Sequence, residues 1–311
     1  MKINRRIFMS SAATLGSGVT MMPAPAQAAP EALRLVLVGD WGRRGHDDQW
    51  RVAEQMGRTA QAFGSQYTVS VGDNFYENGV SGLDDPQWQT SFERIYTAPA
   101  LQTPWKIILG NHDYRGNVQA QLDYSKTSPR WRLPARYYVD RQMLPDGAVA
   151  DFFFLDTSPF IRKYEGSKTD ISGQDSAAQL AWLDHALGAS QAAWKIVVGH
   201  HPIYTALSDA DGYDHDTPDL IARLDPVLKA HDIKLYICGH DHCLQSVQMD
   251  GTHYVVNGAG SQTYRPGPAI RGGFASGAHG FMTLQVTAAR LDYALIDMYG
   301  KTLYARSLTR A

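Results

Sequence analysis

The segment VLVGD, residues 36–40, is an apolar run that stops at a glycine and hands over to a carboxylate. The chain builds the same junction four more times, as VSVGDNFY at 69–76, IILGNHD at 107–113, IVVGHHP at 196–202 and YICGHDH at 236–242. Each run has the length and β-branched content of a strand buried on both faces, the kind found in parallel sheets. Asp40, Asp73, Asn111, His200 and His240 therefore belong at the carboxyl ends of strands, where an open α/β sheet gathers its ligands. The preceding glycines, Gly39, Gly72, Gly110, Gly199 and Gly239, permit turns and close approaches that a Cβ would block. Taken singly, Asp40, Asp73 and Asn111 read as helix caps or Asx turns. Five junctions presenting two carboxylates, an amide and two imidazoles, with Tyr76 and His242 close behind, read instead as a two-metal site.

At 311 residues and 44% hydrophobic content the chain is long enough to bury a large core. Apolar runs at 33–38, 67–71, 105–109, 151–155, 194–198 and 233–237 alternate with segments long enough for helices, which predicts α/β layering in one domain over residues 29–311. Val52, Met56, Thr59, Ala60 and Phe63 share one helical face, as do Leu180, Leu183 and Leu187, with Ser176 and Gln179 reading as a capping box for the second helix. Residues 281–286 and 291–297 read as a hairpin. Two polar stretches, 157–175 and 205–217, are long enough to predict functional or mobile loops.

The first 28 residues stand apart. Arg5-Arg6, a mildly apolar stretch and Ala26-Gln27-Ala28 read as a twin-arginine export signal with its cleavage site, which predicts export in folded form to the bacterial periplasm or beyond. Removing it leaves 26 basic against 31 acidic residues and a net charge of −5. That charge gives no general attraction for nucleic acid, and no long apolar segment predicts membrane insertion of the mature chain. Cys238 and Cys243 do not make a disulfide framework and read as a small buried residue and a loop thiol.

Donor chemistry grades the site. Carboxylate and phenolate oxygens suit a small, highly charged cation, and imidazoles suit a borderline divalent ion. Asp40, Asp73, Tyr76 and His242 form an anionic set able to hold Fe(III); Asn111, His200 and His240 form a more neutral set for Fe(II), Zn(II) or Mn(II), with Asp73 as the bridge. Such a pair keeps a surplus positive charge for a phosphate dianion.

GDWG, GDNFY, GNHD, GHHP and GHDH, in that order, resemble the metallophosphoesterase superfamily, and the tyrosine three residues after Asp73 resembles the purple acid phosphatases. The stretch from Gln87 to Tyr138 and the segments ICGHDHCLQ and NGAG resemble the small tartrate-resistant acid phosphatases of animals. The resemblance implies a four-layer α/β/β/α sandwich of two mixed sheets, and a hydrolase that attacks small phosphate monoesters with a metal-activated water. A phosphodiesterase or nucleotide pyrophosphatase on the same core, or a non-catalytic phosphate- or metal-binding protein, is the alternative. His112 is the expected group that stabilises phosphoryl charge, with Asp113 fixing its tautomer. The histidine that faces the substrate in the animal enzymes has no counterpart by simple counting, which lands on Asp209, and His215 is the nearest candidate. His201 adjoins His200 but points to the opposite side of an extended segment, which leaves His200 as the ligand. His185 and His231 read as surface residues.

Overall fold

The computed structural model describes residues 31–207, 216–267, 269 and 271–310. The predicted export signal lies outside the described residues, as do Asp209 and His215.

The apolar runs form the centres of two seven-stranded mixed sheets. In spatial order the first contains 302–309, 290–297, 280–286, 33–38, 67–70, 105–107 and 131–132, with the last four parallel to one another. The second contains 274–276, 244–249, 252–257, 235–238, 194–198, 149–154 and 138–143, with 149–154, 194–198, 235–238 and 252–257 parallel. The predicted hairpin pairs antiparallel, Phe281 opposite Ile296.

Alternation along the strands shows how the sheets stack. Leu35 and Leu37 join a core that also holds Phe152, Phe154, Ile196, Val198, Leu235 and Ile237, so this core lies between the sheets. Val36 and Val38 face the other way, with Val52, Met56 and Ala60 of the helix Gln49–Phe63. Phe153, Val197 and Tyr236 face outward with Leu183 and Leu187 of the helix Ser176–Ala189. Helix, sheet, sheet and helix make four layers. Every central strand is buried on both faces, which is why its sequence is continuously apolar.

Local expectations fail at instructive points. Ser176 and Gln179 do not form a capping box: Asp175 is the N-cap, accepting from the amides of Ala177 and Ala178 at 3.0 and 2.9 Å. The Gln179 amide instead brackets the backbone of Asp156, accepting from its N–H and donating to its C=O. After Thr217 the chain forms two short helices, Pro218–Arg223 and Asp225–Ala230. Cys238 and Cys243 are free, buried thiols. Among the described residues, no helix is long and apolar enough to cross a membrane.

Candidate metal centre

Parallel strands that end together deliver their following residues to one edge, so Asp40, Asp73 and Asn111 arrive from the first sheet and His200, His240 and His242 from the second. The first-sheet loops are anchored from outside by aromatic packing. Trp41 and Phe75, each next to a candidate ligand, sit edge to face at 5.7 Å, and the Trp41 indole donates to Ser70 Oγ at 2.8 Å. Burial of such a ring makes truncation costly, about 3–5 kcal/mol for Phe→Ala.

The glycines divide between them the two tasks expected, turning and making room. Of the five at the junctions, only Gly72 lies in the left-handed region; elsewhere that conformation falls on the ligand candidates, with φ of 59° at Asp40, 50° at Asp73 and 70° at His240. Left-handed backbone at non-glycine residues concentrates at functional sites. The remaining glycines make room. A Cβ at Gly110 would stand 2.2 Å from Asp73 Oδ1, and one at Gly239 would stand 2.3 Å from Asp40 Oδ2.

All seven side chains expected as ligands converge, in two groups that share Asp73. Tyr76 Oη lies 3.0 Å from Asp40 Oδ1, 3.1 Å from Asp73 Oδ2 and 2.9 Å from His242 Nε2. On the other side His200 Nε2 lies 3.4 Å from Asp73 Oδ2, and His240 Nδ1 lies 2.9 Å from Asn111 Oδ1. The donor atoms of Asp40, Asp73 and His200 fall within 4.8 Å of one another, as do those of His200, His201 and His240.

His201 is nonetheless committed elsewhere. The Thr157 hydroxyl oxygen accepts from the backbone amides of His200 and His201, both at 3.1 Å, so its own proton goes to His201 Nδ1 at 2.8 Å. That leaves the His201 proton on Nε2, where it donates to Tyr164 Oη at 2.9 Å. Neither nitrogen has a lone pair to offer. His200 is the reverse case: its Nδ1–H donates to the Val71 carbonyl at 2.9 Å, and its Nε2 is buried with no hydrogen-bond partner among the described residues.

The electrostatics of the cluster fit a cation-binding site. Burial lifts the carboxyl of Asp40 well above the usual range, and the nearby Asp73 charge adds to the lift. Burial acts on Asp73 in the same sense, but the charge of His200, 3.4 Å away, outweighs it and holds Asp73 well below the ordinary value. Burial likewise opposes protonation of His200, and Asp73 overrides it, raising this imidazole to about 9. A proton on His200 thus balances Asp73. Burial drops His242 to about 4 and His240 well below its usual value, so both present neutral rings. One phenolic proton cannot serve three acceptors around Tyr76, and an acidic cluster with neutral imidazoles and, among the described residues, a His200 Nε2 without a hydrogen-bond partner is a donor set that fits metal ions.

His112 sits at the rim, its side chain 16% exposed, with Nε2 4.0 Å from Asp73 Oδ2 and its backbone N–H donating to Asp73 Oδ1 at 2.7 Å. The expectation that Asp113 fixes its tautomer is corrected. The Asp113 carboxylate is buried and accepts from Gly110 N at 2.8 Å, Asn74 N at 3.1 Å and Gln121 Nε2 at 2.8 Å, tying the GDN turn to the GNHD turn. His112 Nδ1 faces the Glu77 carbonyl at 2.6 Å and Arg115 Nη1 at 2.8 Å instead. His231 bonds Asp184 on the surface, as expected. Sequence reasoning missed Thr157, Asn74, Arg43 and Arg115. Their residue types carry no ligand signal, although Asn74 was visible inside GDNFY.

Two stacked mixed sheets whose strand ends pool carboxylates, imidazoles, an amide and a phenol define the metallophosphoesterase class. The model of the calcineurin-like phosphoesterase family matches residues 33–244. Purple acid phosphatase 7 of Arabidopsis thaliana is 37% identical over 293 residues, covering 90% of this chain and 87% of its own. Human tartrate-resistant acid phosphatase type 5 is 32% identical over 317 residues, covering 93% and 95%. Among solved structures, GAP50, titled the anchor in the inner membrane complex of Plasmodium, superposes with a TM-score of 0.79 at 25% identity over 91% of this chain and 90% of that one. A purple acid phosphatase from yellow lupin shares the fold at a TM-score of 0.65 and 15% identity, over 93% of this chain and 55% of its own. The chain belongs to the calcineurin-like phosphoesterase family and, within it, to the purple acid phosphatases. It is accordingly an enzyme of the metal-dependent phosphoesterase kind.

Proposed function

We propose that the protein is an acid phosphatase that hydrolyses small phosphate monoesters at a dinuclear centre. Asp40, Asp73, Tyr76 and His242 would hold Fe(III), and Asp73, Asn111, His200 and His240 a divalent ion, Fe(II), Zn(II) or Mn(II). The observation that carries this reading is Asp73 Oδ2, 3.1 Å from Tyr76 Oη and 3.4 Å from His200 Nε2, at the join of a hard anionic set and a neutral imidazole set. The metals, when bound, supply Lewis acidity and a nucleophilic water that is available in acid.

The remaining work belongs to side chains. Rim-facing His112, with Nε2 turned toward the cup, is placed to hydrogen-bond a phosphoryl oxygen and to protonate the departing alkoxide. Asp113 acts one step back, by locking the two turns that carry Asp73 and Asn111. His215 is the second proton donor in this proposal.

The twin-arginine motif at Arg5-Arg6 and Ala26-Gln27-Ala28 supports export of the folded chain through the twin-arginine machinery to the periplasm or outside the cell. Metal analysis with a visible spectrum, and turnover of a monoester against a diester, test the function. Iron with a visible band and monoester preference are expected. A colourless iron-loaded protein rules out Tyr76 as an iron ligand, and faster diester turnover makes this a phosphodiesterase.

A further inference from the structure

We propose that Arg43 is a tuning residue of the centre: its guanidinium, stacked on the face of Tyr76, stabilises the phenolate and so sets the colour and reduction potential of iron bound there. The inference rests on Tyr76 binding Fe(III), as argued above.

The geometry is specific. The Arg43 guanidinium carbon lies 3.8 Å from the Tyr76 ring centroid, well inside cation–π range, and the side chain is 11% exposed. Hydrogen bonding explains this placement only in part, through Nη1 donating to Glu77 Oε1. Arg43 Nε is buried without a hydrogen-bond partner among the described residues, and the Asp47 carboxylate stays 3.9 Å away. One close anion remains, Glu77 at 2.7 Å from Nη1, and its side chain is 64% exposed, so water weakens that pairing. The stack is built in by the backbone. Tyr76 N–H donates to the Gly42 carbonyl at 2.9 Å, and Arg43 N–H donates to the Gln49 side chain at 3.0 Å, fixing the Arg43 segment against the Tyr76 segment.

A flat, weakly hydrated guanidinium suits this position better than an ammonium would. When the phenol releases its proton to solvent on metal binding, the ring grows richer in electrons and its attraction for the cation grows with it. The cation lies on the ring face, nearer to the phenolate electrons than to anything bound at Oη. It therefore lowers the filled phenolate orbital more than the metal orbital that accepts the electron, which moves charge transfer to shorter wavelength. A phenolate so held donates less to the metal, and the reduced ion is favoured. Groups outside the ligand set commonly tune a metal in this way.

The test is spectroscopic and electrochemical, on the iron-loaded enzyme. Arg43→Met should move the visible band to longer wavelength and lower the midpoint potential. Glu77→Gln, which removes the anion sharing the Arg43 charge, should move both in the opposite sense, and Arg43→Lys should fall between wild type and Arg43→Met. If Arg43→Met fails to retain iron, the Glu77→Gln and Arg43→Lys shifts carry the test. An unmoved band and potential in iron-replete Arg43→Met overturn the proposal, as does a Glu77→Gln shift of the same sign as Arg43→Met. A wild-type protein that holds iron with no visible band overturns the iron–tyrosinate reading and this inference with it, an outcome distinct from a coloured wild type with an unmoved variant.

Discussion

Gly110→Ala is the smallest change that should disable the centre. A Cβ at this position would lie 2.2 Å from Asp73 Oδ1 and 2.3 Å from Asp73 N, so neither a side-chain rotation nor a local backbone shift relieves the clash alone. An ordinary carbon–oxygen contact requires a retreat of about 1 Å, a misplacement that costs reactions on the order of 10²-fold. The retreat also strains the 2.7 Å bond from His112 N–H to Asp73 Oδ1 and, through the Gly110 N–H, the Asp113 lock at 2.8 Å. Overpacking of this kind destabilises a fold by about 1–3 kcal/mol, too little to unfold a chain of this size. The assay is turnover of an aryl phosphate beside metal content and melting temperature. The control is Gly82→Ala, where a Cβ meets nothing within 4 Å. The variant should stay folded, lose about two orders of magnitude in turnover and hold less metal. A Gly110→Ala protein with wild-type turnover and full metal content would refute the claim that Asp73 is held by this close approach.

Other expectations follow from the same geometry. Tyr76→Phe should bleach the visible band while leaving Asp40, Asp73 and His242 to retain a metal, read by absorbance and metal analysis on one sample. Asp73→Ala should deplete both ions, because it stands in both donor groups, whereas Asn111→Ala should deplete mainly the divalent one; equal losses after dialysis would remove the bridge assignment. Burial pushes the Asp156 carboxyl up to about 7, with Tyr114 and Arg136 only partly offsetting it. The folded chain then keeps a proton that the unfolded chain releases near pH 4, so this contribution is whole below pH 4 and fades as pH rises toward 7, by up to about 1.4 kcal/mol per unit. Thermal midpoints of Asp156→Asn should therefore fall less than wild type between pH 4 and 7, and parallel curves would contradict the assignment.

The central strands were legible because burial on both faces leaves an unbroken apolar run, as in Leu33–Val38 and Trp194–Val198. Edge strands such as Tyr138–Met143 and Thr302–Thr309 were not, because one side faces water and their sequences mix charge with apolar residues. The ligand candidates were legible for a related reason: each comes directly after a strand-ending glycine or within three residues of one that does. Left-handed backbone at Asp40, Asp73 and His240 was not, since nothing in a sequence separates a glycine that turns from one that yields space. Thr157 and Arg43 stayed hidden because their work depends on partners distant in the chain. Asp113 was misassigned by proximity: it adjoins His112 in sequence, but its carboxylate points into the buried turn.

The origin of the ligand candidates has a mechanical consequence. Asp40, Asp73 and Asn111 follow strands of one sheet and His200, His240 and His242 follow strands of the other, and the His200 ring already reaches across to the Val71 carbonyl. Cations held by both groups would work as rivets through one end of the sandwich, fastening two plates that elsewhere are joined by an apolar core and by scattered polar ties such as Lys106 to Asp140 and Ser246 to Tyr293. The catalytic cup would then double as the hinge pin: stripping its ions would loosen the seam from that end first, while the aromatic packing around Trp41 keeps its own plate flat.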